Sequence, residues 1–245
     1  EVVDTPGINS LVPVSVDEIV TRDILLSERG STVVQVIDAR NLPRGLRITA
    51  ELAELGVPMV VALNMVDEAA IEGLTIDHER LSELLGVEVV PTVAVERRGI
   101  GELFQSLRRP RPATLRVEYP AEVEKAAAEV AALLPELAVD RRGVALALLS
   151  SDDEDLANWL VEQAGPEVAE RVAAVRRRLQ ARFPDALDYV IGEARWKELA
   201  ARGLRVLAVA EAWTDAVGDS PADQLHGLTL LGLVGLLDPP RPEAR

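Results

Sequence analysis

The residues best placed to do chemistry are the ends of the tetrapeptide Asn64-Met65-Val66-Asp67. It closes the apolar run Pro58-Met59-Val60-Val61-Ala62-Leu63. An apolar run that stops at polar residues reads as a buried parallel strand whose carboxyl end lies at a sheet rim, where open α/β folds bind ligands. An ionised Asp67 is acceptor-only, and its two oxygens can take two parallel N–H donors. Guanine offers such a pair at N1 and N2, whereas adenine does not. A site built on that pairing rejects adenine, because the carboxylate would be left without partners. Asn64 can bond the base and also brace neighbouring loops. Taken alone, the tetrapeptide reads first as a helix start, with Asp67 capping a helix that begins near Glu68.

The opening Glu1-Val2-Val3-Asp4-Thr5-Pro6-Gly7 reads as a strand end followed by D-T-P-G. Pro and Gly also make this a plausible β-turn. The motif resembles the one in P-loop GTPases whose Asp holds Mg²⁺, usually through water, and whose Gly N–H meets the γ-phosphate. The two motifs stand in the GTPase order, one βα unit apart.

Longer phrases carry a closer resemblance: D-T-P-G-I-N-S-L, V-I-D-A-R-N-L, T-A-E-L-A-E-L-G-V-P-M-V-V-A-L-N-M-V-D-E-A and L-G-V-E-V-V-P-T-V-A. Together they resemble the G domain of the bacterial ferrous-iron transporter B family (FeoB), closely over residues 1–107 and more loosely to about Trp196. The resemblance implies a cytosolic GTPase domain followed by a small helical domain, together regulating a membrane iron channel. It implies guanine contacts for Asn64 and Asp67, and a Mg²⁺ and γ-phosphate role for Asp4 and Gly7. It also implies base-loop contacts around Thr92, Val93 and Ala94. The implied cofactor is Mg²⁺ with GTP or GDP. The implied partners are guanine nucleotide and, in the intact protein, a transmembrane ion-transport domain. The location that follows is the cytoplasm at the inner face of the cell membrane.

The sequence departs from the family in two respects. None of its 245 residues forms the phosphate loop G-x-x-x-x-G-K-[ST], and the switch I Thr is missing too. Glu1 reads as a cut end, mid-strand. The chain as given is therefore expected to bind GTP weakly or not at all, and not to hydrolyse it. Ile8 follows Gly7 where Ras-like proteins keep a water-orienting Gln, so hydrolysis should be slow even in the intact protein.

Composition narrows the alternatives. The formal charge is −15, which makes nucleic acid and anionic lipid poor partners. There is no Cys and only two His, His78 and His226, so thiolate chemistry is excluded and a His-based metal site or iron site is unsupported. Aromatics make up 3% of the chain, so its cores must be aliphatic. No apolar run reaches the length of a membrane span.

These motifs need a scaffold, and the hydrophobic pattern supplies one: α/β, a partial P-loop GTPase-like parallel sheet with flanking helices over residues 1–109. Val16 to Ser27 is an amphipathic helix in the switch II position. Strands are expected at 32–38, 58–64 and 87–90, and helices at 44–55, 77–85 and 99–107. Arg108-Arg109-Pro110-Arg111-Pro112 reads as a solvated linker. A small helical domain follows over residues 113–197, with helices at 121–134, 143–149, 153–163 and 166–183. Asp152-Asp153-Glu154-Asp155 suggests a metal site but reads better as a helix start.

Residues 198–245 change character, with strands near Leu204 to Ala210 and Leu228 to Leu237 in a β-hairpin-like segment. G-L-R-V-L-A-V-A and L-T-L-L-G-L-V-G-L-L-D-P-P-R-P-E-A resemble the nucleotide domain and hinge of cation-transporting P-type ATPases. That resemblance places Asp238 and Arg241 at the hinge. The D-K-T-G-T and T-G-D motifs of that family are absent, so no aspartyl-phosphate chemistry is expected. A junction between the two resemblances is expected within Tyr189 to Lys197, whether it is a natural fusion, a gene remnant or an artificial join. The rival readings are a fragment of an ATP-driven cation pump and a non-catalytic interaction module.

Overall fold

The computed structural model describes residues 2–8, 16–27, 30–151 and 153–202, and the backbone of two strands at 206–211 and 229–235. Among these residues the first half is a sheet wrapped by helices. Helix α1 (Val16–Ser27) precedes strand β1 (Val33–Asp38), a 3-10 turn (Ala39–Asn41) and α2 (Leu42–Glu54). Then come β2 (Pro58–Asn64), α3 (Val66–Ile71), α4 (His78–Leu85) and β3 (Val89–Thr92). A second 3-10 turn (Ala94–Glu96), α5 (Ile100–Ser106) and the two-residue β4 (Arg111–Pro112) complete this half.

Strands β1, β2 and β3 run parallel in that order. The register pairs Asp38 with Asn64 and Asn64 with Thr92, so these three residues form one row at the carboxyl rim. Met59 through Leu63 are all buried, as a central strand covered on both faces requires. The sheet is mixed rather than wholly parallel. The last two residues of the expected linker form β4, which pairs antiparallel with Pro58 and Met59, and both stay exposed.

On β1, Ile37 and Gln35 face α2. The Gln35 amide donates to the Gly45 carbonyl at 2.8 Å and accepts from the Thr49 hydroxyl at 2.8 Å. Its polar atoms are thus satisfied inside the core. The opposite face carries Val34 and Val36, the latter 66% exposed.

The strand end expected ahead of D-T-P-G does not form among the described residues. Residues 2–8 carry no regular structure, and Val2 is 93% exposed. A strand needs a partner for its N–H and C=O groups, and β1 pairs only with β2 among the described residues. The segment is tied instead by the Thr21 hydroxyl, which donates to the Pro6 carbonyl at 2.9 Å.

The second half is helical: α6 (Ala121–Leu133), α7 (Arg141–Ser150), α8 (Glu154–Ala164), α9 (Pro166–Gln180) and α10 (Leu187–Ala201). The acidic start at 153 is a cap. Asp153 accepts from the backbone N–H groups of Asp155 and Leu156. No group of three acidic, His or Cys residues fit for a metal occurs among the described residues. Of helix α10 only the end near Leu199 to Ala201 was legible as helix, and the expected junction at 189–197 lies inside it. Beyond it, β5 (Val206–Glu211) and β6 (Thr229–Gly235) pair antiparallel. Asp238 and Arg241 lie outside the described residues.

The two halves share one core. The Asp140 N–H donates to the Leu55 carbonyl at 2.8 Å, and Gly143 of α7 sits directly on the end of α2. A Cβ at Gly143 would stand 2.4 Å from the Glu54 carbonyl oxygen. Backbone cannot yield there as a side chain could. Gly143→Ala should therefore destabilise the chain by about 1–3 kcal/mol despite the better helix propensity of Ala, read as a lower urea midpoint.

Deeper in this joint lies a charged cluster. Arg195 of α10 pairs with Glu51 at 3.0 Å and Glu54 at 2.8 Å, both on α2. The Tyr119 hydroxyl donates to Glu54. All four side chains are buried. Burial opposes the charge on Arg195, but the Glu54 and Glu51 carboxylates outweigh it and raise its pKa. Burial likewise raises the pKa of Tyr119. Nearby, the buried Arg22 of α1 reaches the α8 cap residue Asp153 at 3.0 Å.

Candidate functional site

The rim row Asp38, Asn64 and Thr92 is where the expected base site falls. Strand β2 ends at Asn64, and the chain turns sharply into α3 through Met65, which holds φ 63° and ψ 33°. A non-glycine residue in the left-handed region carries backbone strain, and such strain concentrates at functional sites. The turn lets α3 begin at Val66, two residues earlier than the sequence suggested. Asp67 is therefore not a cap: it lies in the first turn of α3, and Met65 holds the cap position without a side-chain bond. Asp67 is half-buried and makes no hydrogen bond or ion pair among the described residues.

Asn64 is occupied on its oxygen. That atom accepts from the Thr92 hydroxyl at 3.2 Å and from the Ala94 N–H at 3.0 Å. It thereby ties the end of β2 to the loop after β3. Thr92 and Val93 are buried. Val93 exchanges two backbone hydrogen bonds with Arg98, closing the loop on itself. Asn64, Thr92, Val93 and Ala94 are thus brought together, with Asp67 three residues along the same turn. The Ala94 N–H is spent on Asn64.

Gly7 and Ile8 line a cavity of about 330 Å³ with Asp38, Asn41 and Arg44, at the carboxyl end of β1. Asp4 is exposed and without a hydrogen bond or ion pair among the described residues. A larger cavity, about 830 Å³, lies elsewhere. It runs along β3 between α4 and α5 and includes none of Asp4, Gly7, Asn64 or Asp67.

One feature of the rim was not foreseen. Arg40, in the 3-10 turn after β1, binds the Asp38 carboxylate at 2.7 Å and the Glu68 carboxylate at 2.5 Å. It also lies 3.2 Å from the Met65 sulfur. Hydrogen bonds from the Arg40 side chain hold the Asp38 carboxyl below the ordinary range. The D-A-R phrase was legible, but a contact with Glu68, 28 residues away, was not.

A mixed sheet of three parallel strands and one short antiparallel strand, with a strained strand-to-helix turn at its carboxyl rim and packed on a helical bundle, defines a GTPase-like G domain joined to a helical domain. The sequence profile described as Ferrous iron transport protein B matches residues 1–107, and that of the FeoB cytosolic helical domain matches residues 119–201. Through these two segments the chain belongs to the FeoB family. A profile for the P-type ATPase cytoplasmic domain N also matches residues 192–243.

Curated relatives include the Fe(2+) transport protein A/Fe(2+) transporter FeoB fusion protein of Porphyromonas gingivalis. It is 44% identical over 108 residues, which are 44% of this chain and 13% of that protein. The Fe(2+) transporter FeoB of Legionella pneumophila is 43% identical over 111 residues, 44% of this chain and 15% of its own length. The match thus spans only about one seventh of such relatives.

Among solved structures, the cytosolic domain of L. pneumophila FeoB aligns with a TM-score of 0.65 at 28% identity, covering 82% of this chain and 77% of that one. NFeoB from S. thermophilus bound to GDP.AlF4- and K+ aligns with a TM-score of 0.67 at 28% identity, covering 81% and 79%. No helix among the described residues is long and apolar enough to cross a membrane.

Proposed function

We propose that residues 1–109 are a guanine-nucleotide-binding regulatory domain of a ferrous-iron transport protein. In this reading 113–197 form its helical partner domain, and 198–245 form a segment of P-type ATPase character. The observation that carries the reading is Asp67, a half-buried carboxylate left without a partner at the rim among the described residues while the Asn64 oxygen and Glu68 are tied. Relatives of the same fold have been solved with guanine nucleotides, which agrees with it.

Asp67 takes the N1 and N2 hydrogens of guanine. Asn64 holds the Thr92-Val93-Ala94 loop against the base and keeps its amide N–H groups for the purine. The Gly7 N–H is the phosphate contact. The exposed, unpaired Asp4 carboxylate fits a group that reaches Mg²⁺ through water, and a bound Mg²⁺ would neutralise phosphate charge there. Any membrane association and iron passage belong to the larger protein, with iron as cargo.

Phosphate affinity is the weak part, because the 245 residues contain no G-x-x-x-x-G-K-[ST]. The chain should bind GDP only weakly, in the millimolar range by order of magnitude, and still prefer it to ADP. The chain has two methionines, so ¹³C-methyl labelling gives two NMR signals. Met65 lies in the base-site turn, and Met59 is fully buried in β2 as a control. GDP should shift the Met65 signal more than equimolar ADP does. Equal shifts, or none, would remove the guanine reading.

A further inference from the structure

We infer that Arg40 is a specificity-determining positioning residue that presents Asp67 to guanine and keeps it free to bind. This rests on the guanine reading above. Three observations carry it.

First, Arg40 grips the turn on both sides of Asp67. Its guanidinium contacts the Met65 sulfur at 3.2 Å and the Glu68 carboxylate at 2.5 Å. Met65 and Glu68 bracket the two residues Val66 and Asp67. Second, the same guanidinium is anchored to β1. Its Nε donates to Asp38 at 3.0 Å and its Nη2 lies 2.7 Å from the other Asp38 oxygen. The Arg40 backbone N–H also donates to Asp38 at 2.9 Å. Asp38 sits in the rim row beside Asn64, so the anchor is referenced to the sheet itself. A planar fork can span two carboxylates in fixed geometry, which a lysine ammonium cannot.

Third, the pairing leaves Asp67 as the acid without a partner. Asp38 and Glu68 consume the Arg40 donors, and no described cation pairs with Asp67. A carboxylate already neutralised by Arg40 would have no pair of oxygens to offer a base. The arrangement also braces Met65 in its left-handed conformation, which the chain would otherwise tend to relax.

Stability is not the purpose of these pairs. The side chains of Arg40, Asp38 and Glu68 are 33%, 38% and 48% exposed, and exposed ion pairs contribute little to folding. Arg40→Ala should therefore fold like the parent while losing discrimination.

The test compares GDP with inosine diphosphate on the full chain, following the Met65 methyl signal with Met59 as the fold control. Inosine lacks the 2-amino group, so it gives Asp67 one hydrogen bond in place of two. The parent should prefer GDP by about tenfold, the worth of one charge-assisted bond. Arg40→Ala should bring that ratio close to one by weakening GDP more than inosine diphosphate. Arg40→Lys, which keeps the charge and loses the fork, should not restore it. An unchanged ratio in Arg40→Ala, or equal weakening of both nucleotides, would overturn the role of Arg40. A parent chain with no preference for GDP would instead overturn the guanine reading beneath it.

Discussion

Arg195→Ala lowers the unfolding free energy by about 3–5 kcal/mol, the range for breaking a buried ion pair on one side. The argument is electrostatic rather than one of lost contact. Arg195 is 5% exposed and faces two carboxylates, Glu51 and Glu54, that are themselves buried on α2. Removing the guanidinium deletes a 3.0 Å ion pair from Glu51 and a 2.8 Å ion pair from Glu54; Glu54 keeps the Tyr119 hydroxyl, and Glu51 keeps a longer contact with Arg47 at 4.0 Å. The damage falls at the joint, because α2 belongs to the sheet half and α10 to the helical bundle. Urea unfolding followed by far-ultraviolet circular dichroism should show an early transition for the bundle, separated from that of the sheet. A single transition shifted by less than about 1 kcal/mol would mean that the cluster is as weak as a surface pair. Arg195→Met with Glu51→Gln and Glu54→Gln should recover much of the loss, since the uncompensated charges are then gone.

Asp67→Ala removes guanine recognition. Two hydrogen bonds to a charged acceptor are worth about 1.5–3 kcal/mol each. Losing both should weaken GDP by at least about 10²-fold. In a chain whose phosphate contacts are sparse, that carries binding beyond the measurable range. The GDP-induced shift of the Met65 methyl should vanish while the Met59 signal stays in place. Asp67 makes no bond among the described residues that the folded chain depends on, so thermal stability should change little.

The scaffold was legible where local pattern and tertiary environment agree. The run from Pro58 to Asn64 is apolar because β2 is covered on both faces, and it forms the strand expected of it. Helix α1 runs from Val16 to Ser27 with the expected ends. Asp77 caps α4 and Gly86 ends it in the left-handed conformation, as their types suggest.

What was not legible depended on distant partners. Val2 and Val3 have strand character but no neighbouring strand among the described residues, so they stay irregular. Helix α10 buries Leu187, Ile191, Arg195 and Leu199 in one stripe at four-residue spacing. The Arg in third place breaks the apolar pattern unless Glu51 and Glu54 are known to lie opposite. In the site, Asn64, Asp67 and the Thr92-Val93-Ala94 loop could be named from the motif. The early start of α3, the strained Met65 and the Arg40 brace follow from backbone geometry that residue types do not encode.

Asp67→Asn tests most directly whether this one side chain reads the base. Xanthine carries a carbonyl where guanine has its 2-amino group, so an amide at position 67 would donate to xanthine and meet guanine donor to donor. With the Met65 methyl as reporter, Asp67→Asn should bind xanthosine diphosphate in preference to GDP, reversing the parent order. If the variant keeps the parent preference for GDP, Asp67 does not read the base.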